Sequence, residues 1–136
     1  MILLDSNILI DLIELDPVWY DWSAQQVAVA SSSGNLCIND IVVAEVAPSM
    51  GSLDVFAQFI ASIGVAIEPL TSEAAYLAGL AFLAYRRNRQ GSKSIIADFM
   101  IGGHAQHIGA SILTRDSRFY RAYFPSVPLI SPEIAV

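Results

Sequence analysis

Short apolar runs alternate along the chain with longer stretches whose apolar residues recur at helical spacing. MILL (1–4), LCI (36–38), VAI (65–67), ASILT (110–114) and VPLI (127–130) have the length and character of strands. A helix follows the first run, from about Ser6 to Glu14. A second is expected where Asp16 supplies an N-cap, Pro17 suits the first helical position, and Val18, Trp19, Trp22 and Val27 recur until SSSGN (31–35) breaks the pattern. Asn39 or Asp40 caps a helix over IVVAEVA that Pro48 stops. Ser52 to Ile63 reads as helical, Thr71 opens a long helix reaching about Arg89, and Gly91 ends it. Ile95 to His107 and Ser117 to Tyr123 complete the set. Strands alternating with helices predict an α/β fold, with a central parallel sheet of four to five short strands flanked by helices. With no repeat, low-complexity segment or linker, residues 1–136 are expected to form a single domain.

Composition supports that picture. An apolar content of 54% in 136 residues is ample for one core. The longest apolar run, Ala74 to Tyr85, is 12 residues, short of the roughly 18 to 20 needed to cross a bilayer, so no membrane span is expected. The opening MILLDSNILID puts Asp5 and Asp11 where a signal peptide needs basic residues and an unbroken apolar stretch, which suggests a cytoplasmic protein. The lone cysteine, Cys37, lies in an apolar run and reads as a small buried hydrophobe.

Charge changes the picture through its distribution. The net charge is −6, yet residues 1–85 carry ten acidic side chains and no lysine or arginine. Every basic residue lies between 86 and 121. Arg86, Arg87, Arg89 and Lys93 form one cluster within RRNRQGSK, and Arg115, Arg118 and Arg121 follow. A polyanion would meet a local basic surface here, although cations late in a helix also complement its dipole.

Four carboxylates stand out. Asp5 directly follows the first strand and Asp116 follows ASILT after one residue, so parallel strands would carry both to one edge of the sheet, where ligands gather. Either could also merely cap the next helix. Glu45 is the sole polar residue of IVVAEVA and Asp98 the sole charge of SIIADFMIGG. Helices this apolar look buried nearly all round, and a carboxylate buried there needs a cation or a distant arginine. Alternatively, Glu45 points along one exposed stripe.

DSNILID at the start resembles the opening motif of the PIN-domain superfamily, in which an Asp after the first strand is followed by a small hydroxyl residue and Asn. Glu45 in NDIVVAEV, Asp98 in ADFMIGGHA and Asp116 in ILTRDSRFY resemble the family's remaining acids in order, over Met1 to about Pro128. Among the branches, the chain is most similar to VapC-type toxins, the ribonuclease halves of toxin–antitoxin pairs. The resemblance implies a PIN-like nuclease domain in which Asp5, Asp98 and Asp116 hold Mg2+ or Mn2+, with Glu45 as a further ligand or water-orienting base. Asn7 and Thr114 would support the site. The charge cluster Arg86, Arg87, Arg89 and Lys93, read from its composition, is expected to contact the RNA phosphates. Carboxylates suit these hard cations, and a divalent cation suits phosphodiester hydrolysis. Unlike many relatives, the chain has no basic residue near its first acids.

Other readings are weaker. His104 and His107, three apart, could share a helix face as metal ligands but lack a third His or a Cys, and ordinary polar surface is the simpler expectation. Phe119, Tyr120, Tyr123 and Phe124 could stack on bases, though a core-facing helix with an exposed basic side fits better. An aspartyl-nucleophile phosphatase wants Asp-x-Asp where this chain has Asp5-Ser6-Asn7, and a receiver domain wants a late strand-end Lys. The remaining alternative is a catalytically inactive PIN-fold protein- or RNA-binding regulatory module. The high apolar content further predicts an exposed patch serving a homodimer, a cognate antitoxin, or both.

Overall fold

Five strands, β1 (Ile2–Leu4), β2 (Leu36–Ile38), β3 (Val65–Ile67), β4 (Ser111–Leu113) and β5 (Leu129–Ile130), form one sheet in the order β3-β2-β1-β4-β5. Each neighbouring pair is parallel. The computed structural model describes residues 1–88 and 96–132. Its helices are α1 (Ser6–Ile13), α2 (Tyr20–Ser33), α3 (Asp40–Val46), α4 (Leu53–Ser62), α5 (Ser72–Asn88), α6 (Ile96–Ile108) and α7 (Ser117–Tyr123). The α/β architecture expected from the alternating pattern is therefore the one observed. No helix among the described residues is long and apolar enough to cross a membrane.

Central strands in such a sheet are covered on both sides and need continuous apolar sequence. Accordingly, Leu3, Leu4, Ile38, Ile112 and Leu113 are completely buried. The order of strands reverses at the centre: the chain runs outward from β1 through β2 to β3, then returns beside β1 with β4. That reversal puts the topological switch point, where open parallel sheets bind ligands, beyond the carboxyl ends of β1 and β4.

Two local expectations are corrected. Asp16 does not cap a helix starting at Pro17. Its Oδ1 accepts from Val18 N–H and Trp19 N–H at 2.8 Å each, and α2 begins only at Tyr20. The short polar side chain closes a local turn that competes with the helix. Pro48 does not simply stop α3, because the chain continues as a 3-10 turn over Ala47–Met50. Proline fits the first turn of a helix, where its missing N–H costs nothing.

Gly102 and Gly103 let α6 pack closely. A Cβ on Gly103 would meet the Ala78 backbone nitrogen at 2.6 Å, and one on Gly102 would collide with the Phe124 ring. Gly109, at φ 69, adopts the left-handed conformation that ends α6, and Ala110 N–H donates back to the Ala105 carbonyl.

His104 is fully buried, which corrects the expectation of polar surface. Its Nδ1 lies 3.1 Å from Asn39 Nδ2, while Asn39 Oδ1 accepts from Ile41 N–H and Val42 N–H to cap α3. The cap fixes the amide's orientation, so Asn39 donates and His104 Nδ1 accepts. The ring proton then sits on Nε2, which has no partner among the described residues. Burial holds the imidazole below its ordinary value of 6.5, with Glu68 and Asp40 pulling it up and His107 pushing it down. The folded state thus favours neutral His104. This contribution is fully present above about pH 6.5 and declines as pH falls from there towards the folded value. Thermal melts of wild type and His104→Gln between pH 7.5 and 5 should show a steeper loss on acidification in the wild type. Parallel curves would show that His104 does not titrate with folding.

Candidate active site

The strand register sets the site. Leu4 pairs with Leu113 and Asp5 N–H donates to the Leu113 carbonyl at 3.0 Å, so Asp5 and Thr114 emerge side by side from adjacent strands. Each strand feeds a helix through an acidic cap. The Asp5 carboxylate accepts from Ser6 N–H at the start of α1, and Asp116 is the N-cap of α7. Glu45 is in the last turn of α3 and Asp98 in the first turn of α6.

Asp5 is the most tightly held of the four. It is buried, and its Oδ1 accepts from Ser6 N–H at 2.8 Å. Its Oδ2 accepts from Thr114 Oγ1 at 2.7 Å and Tyr120 Oη at 3.1 Å, with Asn7 Nδ2 at 3.5 Å. Asn7 also reaches Thr114 Oγ1 at 3.4 Å and accepts from Arg115 N–H at 3.3 Å, while Thr114 Oγ1 accepts from Asp116 N–H at 2.9 Å. Asn7 and Thr114 therefore knit the ends of β1 and β4 together. Ser6 adds a link to α3, because its hydroxyl donates to Glu45 Oε1 at 2.6 Å.

The four acids share one electrostatic environment. Asp98 is pushed up to about 6, first by burial and then by Asp5, Glu45 and Asp116. Burial raises Asp5 too, with hydrogen bonds from Thr114, Ser6 and Tyr120 opposing it and Glu45 adding repulsion. Glu45 itself is exposed, which corrects the expectation of a helix buried nearly all round. Its side chain lies on the exposed side of α3 and is held towards the end of β1 by the Ser6 hydroxyl.

Several roles escaped the sequence reading. Arg115, counted there with the basic residues, turns inward and pairs in bidentate fashion with the fully buried Asp11, Nε to Oδ2 and Nη2 to Oδ1 at 2.9 Å each. The signal was available, since Asp11 is the sole charge in SNILIDLI just as Asp98 is in its own segment. Ser6 belonged to the opening motif but had no assigned task. Phe119, Tyr120, Tyr123 and Phe124 join Phe99 and Tyr85 in an aromatic cluster, while Arg118 and Arg121 stay exposed. That is the core-facing helix with a basic outer side. Arg86 and Arg87 are exposed at the end of α5, and Arg89 and Lys93 lie outside the described residues. Arg86 sits 5.9 Å over the Phe82 ring, which packs at 5.3 Å on Phe99, the neighbour of Asp98.

The PIN-domain family profile matches residues 2–125. The chain belongs to the PIN-domain family. Among solved structures, this PIN domain is similar to a chain of VapBC2 from Rickettsia felis bound to a promoter DNA fragment, with a TM-score of 0.75 and 20% identity over 96% of this chain and 98% of that one. A chain of the DNA-bound VapBC complex from Salmonella typhimurium has a TM-score of 0.71 at 22% identity, covering 96% of each. One from a toxin–antitoxin complex of Klebsiella pneumoniae has a TM-score of 0.69 at 20% identity, over 97% and 98%. No curated protein matches the chain in sequence.

Oxygen donors of this kind suit a hard divalent cation, and, beyond burial, Asp5, Glu45 and Asp116 are each near enough to Asp98 to push its carboxyl up. Among the described residues, no three acidic, histidine or cysteine side chains already enclose a point where a cation would sit. A cation that keeps several of its waters, as magnesium does, tolerates such an open set of carboxylates. The donor chemistry therefore fits.

Proposed function

We propose that this PIN domain is a metal-dependent endoribonuclease and the toxin of a toxin–antitoxin pair. The observation that carries this reading is the convergence of the acids. Thr114 Oγ1 bridges the Asp5 carboxylate and the Asp116 backbone at 2.7 and 2.9 Å, and Ser6, next to Asp5, donates to Glu45 at 2.6 Å. Burial, and then all three of these acids, push the Asp98 carboxyl up to about 6. Acids gathered against their own repulsion mark a working site more often than a structural one. Asp5, Asp98 and Asp116 would hold Mg2+ or Mn2+, with Glu45 as a further ligand or as the base that orients water. A cation bound there supplies charge neutralisation at the phosphate, an activated water and stabilisation of the leaving oxygen. Asn7, Thr114 and Ser6 keep the carboxylates in place, and Arg86 and Arg87, with Arg89 and Lys93 beyond them in sequence, attract the RNA backbone.

The similar structures come from VapBC and toxin–antitoxin complexes, which supports a cognate antitoxin for this chain. Exposed apolar residues on two faces offer surface for it and for a homodimer: Tyr76, Leu80 and Leu83 along α5, and Leu53 and Val55 on α4. The cytoplasm, where RNA is abundant, is the compartment this reading requires.

The test is cleavage of labelled single-stranded RNA of mixed sequence in Mg2+, Mn2+ or EDTA. The wild type should cut only with metal, and Asp5→Asn and Asp116→Asn should each lower the rate at least about 100-fold, the scale of losing one preorganised electrostatic contact. Arg86→Ala with Arg87→Ala should chiefly raise KM. Binding of RNA without cleavage under every metal condition would replace this reading with the inactive regulatory module.

A further inference from the structure

We propose that Tyr120 is a positioning residue for Asp5, using its hydroxyl to occupy Oδ2 so that the carboxylate offers a cation only Oδ1. The proposal rests on the nuclease reading above. Tyr120 is 1% exposed, and its Oη donates to Asp5 Oδ2 at 3.1 Å. Thr114 Oγ1 donates to the same oxygen at 2.7 Å, and Ser6 N–H to Oδ1 at 2.8 Å. Asn7 Nδ2 also approaches Oδ2 but at 3.5 Å is too far to compete with the two hydroxyls. A carboxylate oxygen accepts through two lone pairs, so Thr114 and Tyr120 fill Oδ2 and one lone pair remains on Oδ1. Asp5 can then ligate through one oxygen, in a fixed orientation.

Packing alone does not account for the hydroxyl. The Tyr120 ring stands edge-on to Phe119 at 5.1 Å, in a cluster where phenylalanine would serve as well. A buried tyrosine hydroxyl needs a partner, and the partner here is Asp5. A carboxylate oxygen can only accept, so the phenol hydroxyl is the donor of this bond. Tyr120 is also one turn along α7 from Asp116, which caps that helix. The helix that begins at Asp116 thus grips Asp5, and one rigid turn sets the relation between the acids of β1 and β4. Groups behind a metal ligand typically change affinity 10- to 100-fold when altered.

The experiment is Mn2+ titration by calorimetry on the full chain, with thermal melts of the same samples. Tyr120→Phe should weaken Mn2+ binding about 10-fold or more, while its metal-free melting stays close to wild type and KM for RNA is unchanged. Tyr123→Phe, on the same helix and in the same cluster, should bind Mn2+ like wild type. In the wild type, the Tyr120 hydroxyl proton should shift in NMR spectra on Mg2+ addition, a readout that does not depend on how the variant folds. If Asp5→Asn loses Mn2+ while Tyr120→Phe keeps wild-type affinity and the hydroxyl signal is unmoved, the Tyr120 proposal fails and the nuclease reading stands. If wild type and Asp5→Asn bind Mn2+ alike, or neither binds it, the nuclease reading fails and takes the proposal with it.

Discussion

Arg115→Ala should destabilise the protein by about 3 to 5 kcal/mol, the usual cost of stranding one member of a buried ion pair. Asp11 has no exposed surface and accepts both guanidinium bonds at 2.9 Å as well as the Ser23 hydroxyl at 2.6 Å. Without Arg115 a buried carboxylate would keep only Ser23 among the described residues. The guanidinium also lies 5.0 Å over the Trp19 ring, so the loss includes a cation–π contact. Arg115→Lys should recover only part of the stability, because an ammonium cannot form the two-pronged contact or stack in the same way. The double variant Arg115→Ala with Asp11→Ala should cost less than the sum of the single changes, since neither partner is then left alone. Denaturant melts of the four proteins measure this. Near-additive values with a small Arg115→Ala effect would return Arg115 to the RNA-facing surface, where its loss would weaken RNA binding and spare the fold.

Asp98→Asn is expected to abolish cleavage while leaving the metal-free protein at least as stable as wild type. Asp98 is raised from 3.8 to about 6, by burial first and then by Asp5, Glu45 and Asp116. A shift of about two units corresponds to at most about 3 kcal/mol of unfavourable interaction when the group is ionised. The sign follows from the direction. The stabilisation from protonating Asp98 is fully present below about pH 3.8 and is lost as pH rises through about 6, so at pH 7.5 the wild type bears the full repulsion. The amide keeps the shape and removes the charge. At pH 7.5 it should melt no lower than wild type, and its stability should rise less between pH 6 and 4. Mg2+ or Mn2+ should raise the wild-type melting temperature, since a ligand specific to the folded state stabilises it, and should do so much less in the variant. An Asp98→Asn protein that melts early yet still cuts RNA would make Asp98 structural and remove it from the site.

The sequence by itself determined the succession of elements, because short apolar runs and helical patterns are written locally and each strand is bounded by its own caps and breaks. It also singled out Asp5, Glu45, Asp98 and Asp116, since an isolated carboxylate in an apolar segment or at a strand end is visible without knowing its neighbours. Only the tertiary structure decided which groups meet. Asp11 and Arg115 lie 104 positions apart and pair because β4 inserts beside β1. Tyr120 reaches Asp5 across 115 positions for the same reason. The burial of His104, the exposure of Glu45 and the inward turn of Arg115 depend on what packs over each helix face. Local spacing specifies a face, while the sheet order and the helix across from it decide whether that face meets water, an aromatic ring or a charge.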